Sequence, residues 1–309
     1  MLAIKCENLT KRYGLTAALD SLNLEISAHS VFGFLGPNGA GKTTTVKLLM
    51  GLAQPSAGQA WIDGLAVGAP ELRERVSYLP DVPAFYNWMT GQEYLIFIAD
   101  LFHLDGAAAR SRVAELLTLV GLAGAAKRRV GGYSRGMRQR LGIAQALVNR
   151  PQVLFLDEPV SALDPIGRRD VLELIIQLKE MTTVFMSTHI LSDVERVCDT
   201  VGIINKGKLV TVSSVPQLQA RYAPSVFEIE LEDDPTGVKS ATEARPWATK
   251  AEVVNGTKTP VLRVQVQDVD VAKKELPQII AASGASLIRY ELVMPSLEDI
   301  FLQLVGGAS

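Results

Sequence analysis

Short apolar runs punctuate the first two thirds of the chain. Val31-Phe32-Gly33-Phe34-Leu35, Val153-Leu154-Phe155-Leu156 and Val184-Phe185-Met186 each lie between loop residues. Helical patterns separate them, with Thr43 to Leu52 and Val171 to Lys179 among these. Continuous apolar strands alternating with helices predict a mainly parallel sheet covered on both faces. From Pro83 to Arg150 the pattern is mostly helical. Thr90-Gly91-Gln92-Glu93 has the spacing of a capping box, in which the Thr90 hydroxyl accepts from the Glu93 N–H and the Glu93 carboxylate from the Thr90 N–H. An apolar helix follows from Tyr94, and Ala107 to Val120 forms a second one, stopped by Gly121. We read this stretch as a helical insert in an α/β domain.

The pattern changes near Tyr222-Ala223-Pro224-Ser225. Val226 to Leu231 and Val261 to Val266 alternate with period two, Lys273 to Ala282 is helical, Leu287 to Leu292 is strand-like, and Ser296 caps a last helix through Leu304. The expected organisation is an α/β domain over 1–221 and a small accessory α+β domain over 222–309.

Composition narrows the function. The 309 residues carry 31 Lys and Arg against 33 Asp and Glu, a net charge of −2. A dedicated nucleic-acid binder would show a strong basic excess, so no nucleic-acid partner is expected. At 48% hydrophobic and 21% charged residues, the chain is not globally disordered. Two cysteines, Cys6 and Cys198, build no disulfide framework and fit free thiols in a reducing compartment. The N-terminus, Met1-Leu2-Ala3-Ile4-Lys5-Cys6-Glu7, meets charge before any apolar leader develops. The apolar stretches fall well short of the roughly 20 residues that cross a bilayer. A membrane role therefore requires spans from another chain.

The chemistry begins at Gly36-Pro37-Asn38-Gly39-Ala40-Gly41-Lys42-Thr43, which fits G-x-x-x-x-G-K-[ST] between a strand and a helix. Its glycines let backbone N–H groups turn inward around phosphate, and the helix N-terminus points at the same charge. Lys42 reaches the outer phosphates, Thr43 offers a hydroxyl to Mg²⁺, and Thr44 completes the cradle. The run Val153 to Leu156 ends in Asp157-Glu158. A carboxylate at a strand end is placed to hold Mg²⁺, and the next one to act on an attacking water as general base. A GTPase would need Asn-Lys-x-Asp, and the nearest match, Asn205-Lys206-Gly207-Lys208, has lysine where the acid belongs.

With these motifs, roughly residues 1–220 resemble the ATP-binding cassette (ABC) ATPases. Five further elements carry the resemblance: Tyr13 in Lys11-Arg12-Tyr13-Gly14; Asp81 in Tyr78-Leu79-Pro80-Asp81; Tyr133-Ser134-Arg135-Gly136-Met137 at the signature position; Ser161-Ala162-Leu163-Asp164 at the D-loop; and Ser187-Thr188-His189 at the switch histidine. Two sites depart from the family pattern. Arg135 and Met137 replace Gly and Gln of the signature, and Asp81 stands where a glutamine is usual. The resemblance implies a P-loop core with an antiparallel β layer and a helical subdomain, with ATP and Mg²⁺ as cofactors. It implies Tyr13 on adenine, His189 on the γ-phosphate, and Asp81 beside Thr43 and Asp157 at the metal. It further implies a head-to-tail dimer with a second ATPase subunit, in which Ser134 and Gly136 close over the partner's nucleotide and Asp164 crosses between the sites.

The signature segment and Pro295-Ser296-Leu297-Glu298-Asp299-Ile300-Phe301 are similar to those of exporter ATPases whose integral membrane permease is a separate chain. Such a subunit is expected to be cytoplasmic and peripheral, held on the inner face of the cell membrane by the permease. Phe85, Tyr86 and Trp88 either receive a permease helix or form an aromatic core loop. The rival within the superfamily is a soluble motor acting on DNA or ribosomes. The chain has no coiled-coil insertion between Lys42 and Ser134 and no second cassette.

Overall fold

The computed structural model describes residues 1–161, 163–222, 225–255, 259–293 and 296–306. The chain divides into two compact units, Met1–Val215 and Pro216–Ser309. The division falls at the start of the helix Val215–Tyr222, whereas the composition shift was read at its end.

The first unit is built on a six-stranded sheet in the order Lys208–Ser213, Thr200–Asn205, Val31–Leu35, Thr183–Thr188, Val153–Asp157, Val76–Leu79. All pairings are parallel except that of the edge strand Lys208–Ser213. Val31–Leu35, Val153–Asp157 and Thr183–Thr188 are buried at every position, which is why they read as unbroken apolar runs. Phe185 packs at ring-centroid distances of 5.4 Å from Phe32 and 5.3 Å from Phe34 and Phe155. Parallel pairing sets Leu35 opposite Thr188 and Asp157 opposite Ser187. Three loops therefore leave the sheet side by side at its carboxyl edge, where open α/β sheets bind ligands.

A second, antiparallel sheet runs Thr16–Ser27, Leu2–Tyr13, Ala57–Ile62, Leu65–Ala66. Its Ile4, Leu22, Leu24 and Ile62 join Phe32, Phe34 and Phe155 in one core. The helical insert follows the expected pattern. Glu93 N donates to Thr90 Oγ1 at 3.2 Å and Thr90 N to Glu93 Oε2 at 2.8 Å, opening the helix Gly91–Leu101. The helix Gly106–Leu119 is capped by Asp105, whose Oδ1 accepts from Ala108 N at 2.8 Å. Arg112 on it is buried and donates to Leu147 O at 2.6 Å, closing the C-terminal end of the helix Arg135–Ala146.

Two boundaries differ from the pattern. The helix after the glycine cradle is Lys42–Leu49 and stops short of Leu52, because Gly51 turns left-handed at φ 68°. The helix expected from Val171 is Pro165–Leu178, started by Asp164 as N-cap and Pro165 in the first turn.

The second unit is an antiparallel sheet, Ala248–Asn255, Pro260–Val266, Ser225–Leu231, Leu287–Val293, with the helices Thr236–Glu243 and Val269–Ser283. Phe227, Ile229, Leu231, Leu262, Val264, Leu276 and Ile280 share its core. The strand Ala248–Asn255 and the helix Thr236–Glu243 add to the sequence reading. The last helix is Leu297–Gly306. Ala162 of the D-loop, Ala223 and Pro224 of the expected boundary, and Pro295 lie outside the described residues. No described helix is long and apolar enough to cross a membrane.

Candidate functional site

The glycine cradle joins the strand Val31–Leu35 to the helix Lys42–Leu49. Gly41 is the helix N-cap at φ 112°, and no side chain caps the free N–H groups behind it. A helix start of this kind is a ready anion site. Gly36 is held by space: a Cβ there would stand 2.4 Å from Ile204 O. Lys42 is only 7% exposed, and its Nζ donates to Gly36 O at 2.6 Å and Pro37 O at 3.3 Å. Burial holds its pKa below the ordinary lysine value, opposed by the charges of Glu158 and Asp157. Asn38, Lys42, Thr43, Asp81, Asp157 and Glu158 line one cleft of about 280 Å³, as do Gly39, Gly41 and Thr44.

Asp157 is 8% exposed and accepts from the hydroxyls of Ser187 and, at 3.3 Å, Tyr78. Burial, then the Asp157 charge, push the Tyr78 phenol up to about 12, so it remains a donor at neutral pH. These donors to Asp157 are neutral, and a buried carboxylate met by neutral donors is what a divalent cation would compensate. Thr43 adds a hard oxygen beside it. Among the described residues, no three His, Cys, Asp or Glu side chains cluster as a metal cage. An ion here would draw its remaining ligands from phosphate and water, which suits Mg²⁺.

Glu158 has φ 46°, a left-handed backbone unusual for a residue with a side chain. Its N–H donates to Ser187 O at 2.9 Å, which fixes the turn. Thr188 Oγ1 donates to Oε2 at 3.1 Å, and His189 Nδ1 stands 2.7 Å from Oε1. An ionised carboxylate only accepts, so Nδ1 carries the proton and Nε2 is left free to face a ligand.

Asp81 accepts from Ser161 Oγ at 2.8 Å, tying its loop to the one after Glu158. Arg135 lines a second cavity, of about 320 Å³, together with Asp81, Glu158 and Ser161. Ser134 is the N-cap of Arg135–Ala146, its Oγ accepting from Met137 N at 3.2 Å, and Gly136 lies in the first turn. Neither lines the cleft of its own chain. Asp164 is exposed and accepts from Gly167 N at 3.3 Å, also away from the cleft. Tyr13, 54% exposed, ends the strand Leu2–Tyr13 with Lys11 Nζ 5.1 Å from its ring centre. Phe85 is half-buried at 5.2 Å from Tyr94, whereas Tyr86 and Trp88 are exposed.

Sequence reasoning assigned no role to Tyr78, Ser187, Thr188 or Ser161, which hold Asp157, Glu158 and Asp81. A signal existed for two of them: Ser187 and Thr188 put hydroxyls at the end of an otherwise apolar strand next to His189.

Comparison with known proteins gives matches over both units. The family described as ABC transporter matches residues 19–161, and that described as ATP-binding protein DrrA1-3-like, C-terminal domain, matches residues 214–305. The bacitracin transport ATP-binding protein BcrA of Bacillus licheniformis is 36% identical, over 99% of this chain and 98% of its own. The fluoroquinolones export ATP-binding protein MT2762 of Mycobacterium tuberculosis is 37% identical, over 77% of this chain and 79% of its own. Among solved structures, cbiO1 from Clostridium perfringens, part of the ABC transporter complex cbiONQ, has a TM-score of 0.67 at 27% identity, covering 71% of this chain and 91% of that one.

Proposed function

The chain belongs to the ATP-binding, ATP-hydrolysing subunits of ABC transporters, and from that premise we propose that it powers export through a separate integral membrane permease, as one half of an ATPase dimer. The reading leans most on one observation: Glu158, gripped by Thr188 and His189, lies in the same cleft as Lys42 and the glycine cradle.

In this reading the triphosphate settles on the N–H groups from Gly36 to Thr44, and Lys42 leaves the Gly36 carbonyl for the outer phosphates. Thr43 and Asp157, with Asp81 beside them, would hold Mg²⁺, which would supply charge neutralisation at those phosphates. Glu158 takes a proton from the attacking water at Oε1 or Oε2, a step worth about 10²–10⁴ in rate. His189 orients that carboxylate through Nδ1, and its contact with the γ-phosphate is a donation from Nε2 that requires a second proton on the ring. Donors aimed at developing charge in a closed, dry site give the largest electrostatic gain. Tyr13 stacks on adenine. Ser134 and Gly136 come to the nucleotide from a second copy, since they lie off the cleft of their own chain, and Asp164 meets the facing site. A nucleotide-binding domain over 1–221 and an accessory domain over 222–309 belong to the same proposal, as does a cytoplasmic position on the membrane through the permease. BcrA and MT2762 carry transport and export in their names, which favours a transporter over a soluble motor.

The test uses tagged Glu158→Gln with ATP, which stalls the closed dimer. We expect an integral membrane protein to co-purify from detergent-solubilised membranes in one-to-one ratio. Ribosomes or DNA, with nothing from the membrane, would refute the transporter reading.

A further inference from the structure

An ion pair follows the loop bearing His189, with the Asp193 side chain buried and that of Arg168 one third exposed. Asp193 is 2% exposed and lies in the first turn of the helix Leu191–Val197, which follows the loop bearing His189. Arg168 reaches it from the helix Pro165–Leu178, with Nε 2.7 Å from Asp193 Oδ1. The same guanidinium donates to Ser192 Oγ at 3.1 Å. Asp193 Oδ2 is buried with no hydrogen-bond partner among the described residues. Burial holds this carboxyl above the usual aspartate range in spite of Arg168. An apolar pair of the same volume is often at least as stable as a buried ion pair, so stability alone does not explain it.

The pair does supply direction. The helix Leu191–Val197 is short, and its N-cap is Ile190, which offers no side-chain acceptor. A helix of that length does not hold itself in place. On one side of it, Thr188 Oγ1 accepts from Ile190 N at 3.1 Å while donating to Glu158, and His189 meets Glu158 at 2.7 Å. On the other side, Arg168 N donates to Asp164 O at 2.8 Å, within the turn that Asp164 caps. The loop of Asp164 and the loop of His189 are thus joined through one guanidinium.

We propose that Arg168 is a positioning residue for hydrolysis: through Asp193 it couples the loop bearing Asp164 to the loop bearing His189, so that movement of the first re-aims the imidazole against Glu158. The inference rests on the ATPase reading above. It links the Asp164 loop to the catalytic carboxylate within a single chain.

The test uses three full-length variants: Arg168→Lys, Asp193→Asn, and the double Arg168→Met with Asp193→Leu. The double variant removes the buried charge, so it is expected to fold at least as stably as the wild type. In it we expect kcat to fall roughly ten- to a hundredfold, the scale of a sub-ångström to 1 Å misplacement. KM for ATP should move less than about twofold, because the glycine cradle, Lys42 and Thr43 are untouched. The chain has three histidines, His29, His103 and His189. In Arg168→Lys the ring signal of His189 should shift in NMR spectra while the other two stay, although Arg168 does not touch the imidazole. Wild-type kcat in the apolar double variant, or an unmoved His189 signal, overturns the proposal. A wild-type chain without ATPase activity in the presence of its permease overturns the functional reading instead, and the histidine signals still decide the coupling.

Discussion

Alanine at Gly39 and at Gly41 separates two reasons why the phosphate cradle needs glycine. Both have left-handed backbone, at φ 79° and 112°. At Gly39 an added Cβ meets nothing within 4 Å, so only the backbone resists, by about 1–2 kcal/mol. At Gly41 the same strain applies, and the Cβ would also stand 2.5 Å from Ala18 O. Carbon–oxygen contacts rarely fall below about 3.3 Å, so the Ala18 backbone or the start of the helix Lys42–Leu49 must give by about 0.8 Å. Overpacking of that kind adds about 1–3 kcal/mol. At about 2–4 °C per kcal/mol for a unit of this size, Gly41→Ala should lower Tm by roughly 10 °C and Gly39→Ala by roughly 4 °C. The functional gap should be wider. A shift of that size at the helix start displaces the free N–H groups and Lys42 together, and misplacement near 1 Å can cost about 10²-fold in rate. Thermal melts with and without ATP, equilibrium ATP binding and steady-state ATPase rates on the two variants provide the comparison. If Gly41→Ala melts and hydrolyses no worse than Gly39→Ala, the contact with Ala18 does not constrain the cradle and the reasoning fails.

Burial depresses the Lys42 pKa in the free chain, so between that lowered value and 10.5 the unfolded chain binds more protons and Lys42 makes stability rise with pH. In the same window ATP binding should draw a proton onto Lys42. Calorimetry in buffers of different ionisation enthalpy should show uptake in the wild type and none in Lys42→Met. Asp81→Ala should lower permease-coupled ATPase more than ATP affinity, and Ser161→Ala should cost about two- to tenfold, the worth of one net hydrogen bond. If the two residues act together, the double variant is no slower than Asp81→Ala, whereas additive losses in a double-mutant cycle refute the link. Arg112→Met removes a charged hydrogen bond from the end of the signature helix and should cost about 1.5–3 kcal/mol. A lower urea midpoint with an unchanged slope is the expected signature.

The parts of this site that were legible in the sequence are those whose chemistry lies within a few consecutive residues. The cradle from Gly36 to Thr43 and the Thr90 capping box place their groups by local geometry, and Asp157-Glu158 sets two adjacent carboxylates at the end of an apolar run. The antiparallel layer was legible only through the family resemblance. Its first strand, Leu2–Tyr13, changes register between Cys6 and Leu9 and again before Lys11 and Arg12, which breaks the period-two pattern. The helix Thr236–Glu243 buries only Val238 and Thr242, too little for an apolar stripe. The first turn of Pro165–Leu178 has no buried residue, so its pattern starts late, at Val171.

The groups that grip Asp157 were hidden for a different reason. Ser187 faces Asp157 because two parallel strands are neighbours in the sheet, and Tyr78 approaches from the strand on the other side. That adjacency is a property of strand order, which neither segment encodes by itself. The aromatic segment after Asp81 makes the same point. The core-loop alternative suits Phe85, packed on Tyr94, while Trp88 at 68% exposure contradicts it. Two residues three apart in one loop thus take opposite fates, because only one of them finds a helix to pack on. Motifs fixed the chemistry of the site, and the order of the strands chose the side chains that hold that chemistry in place.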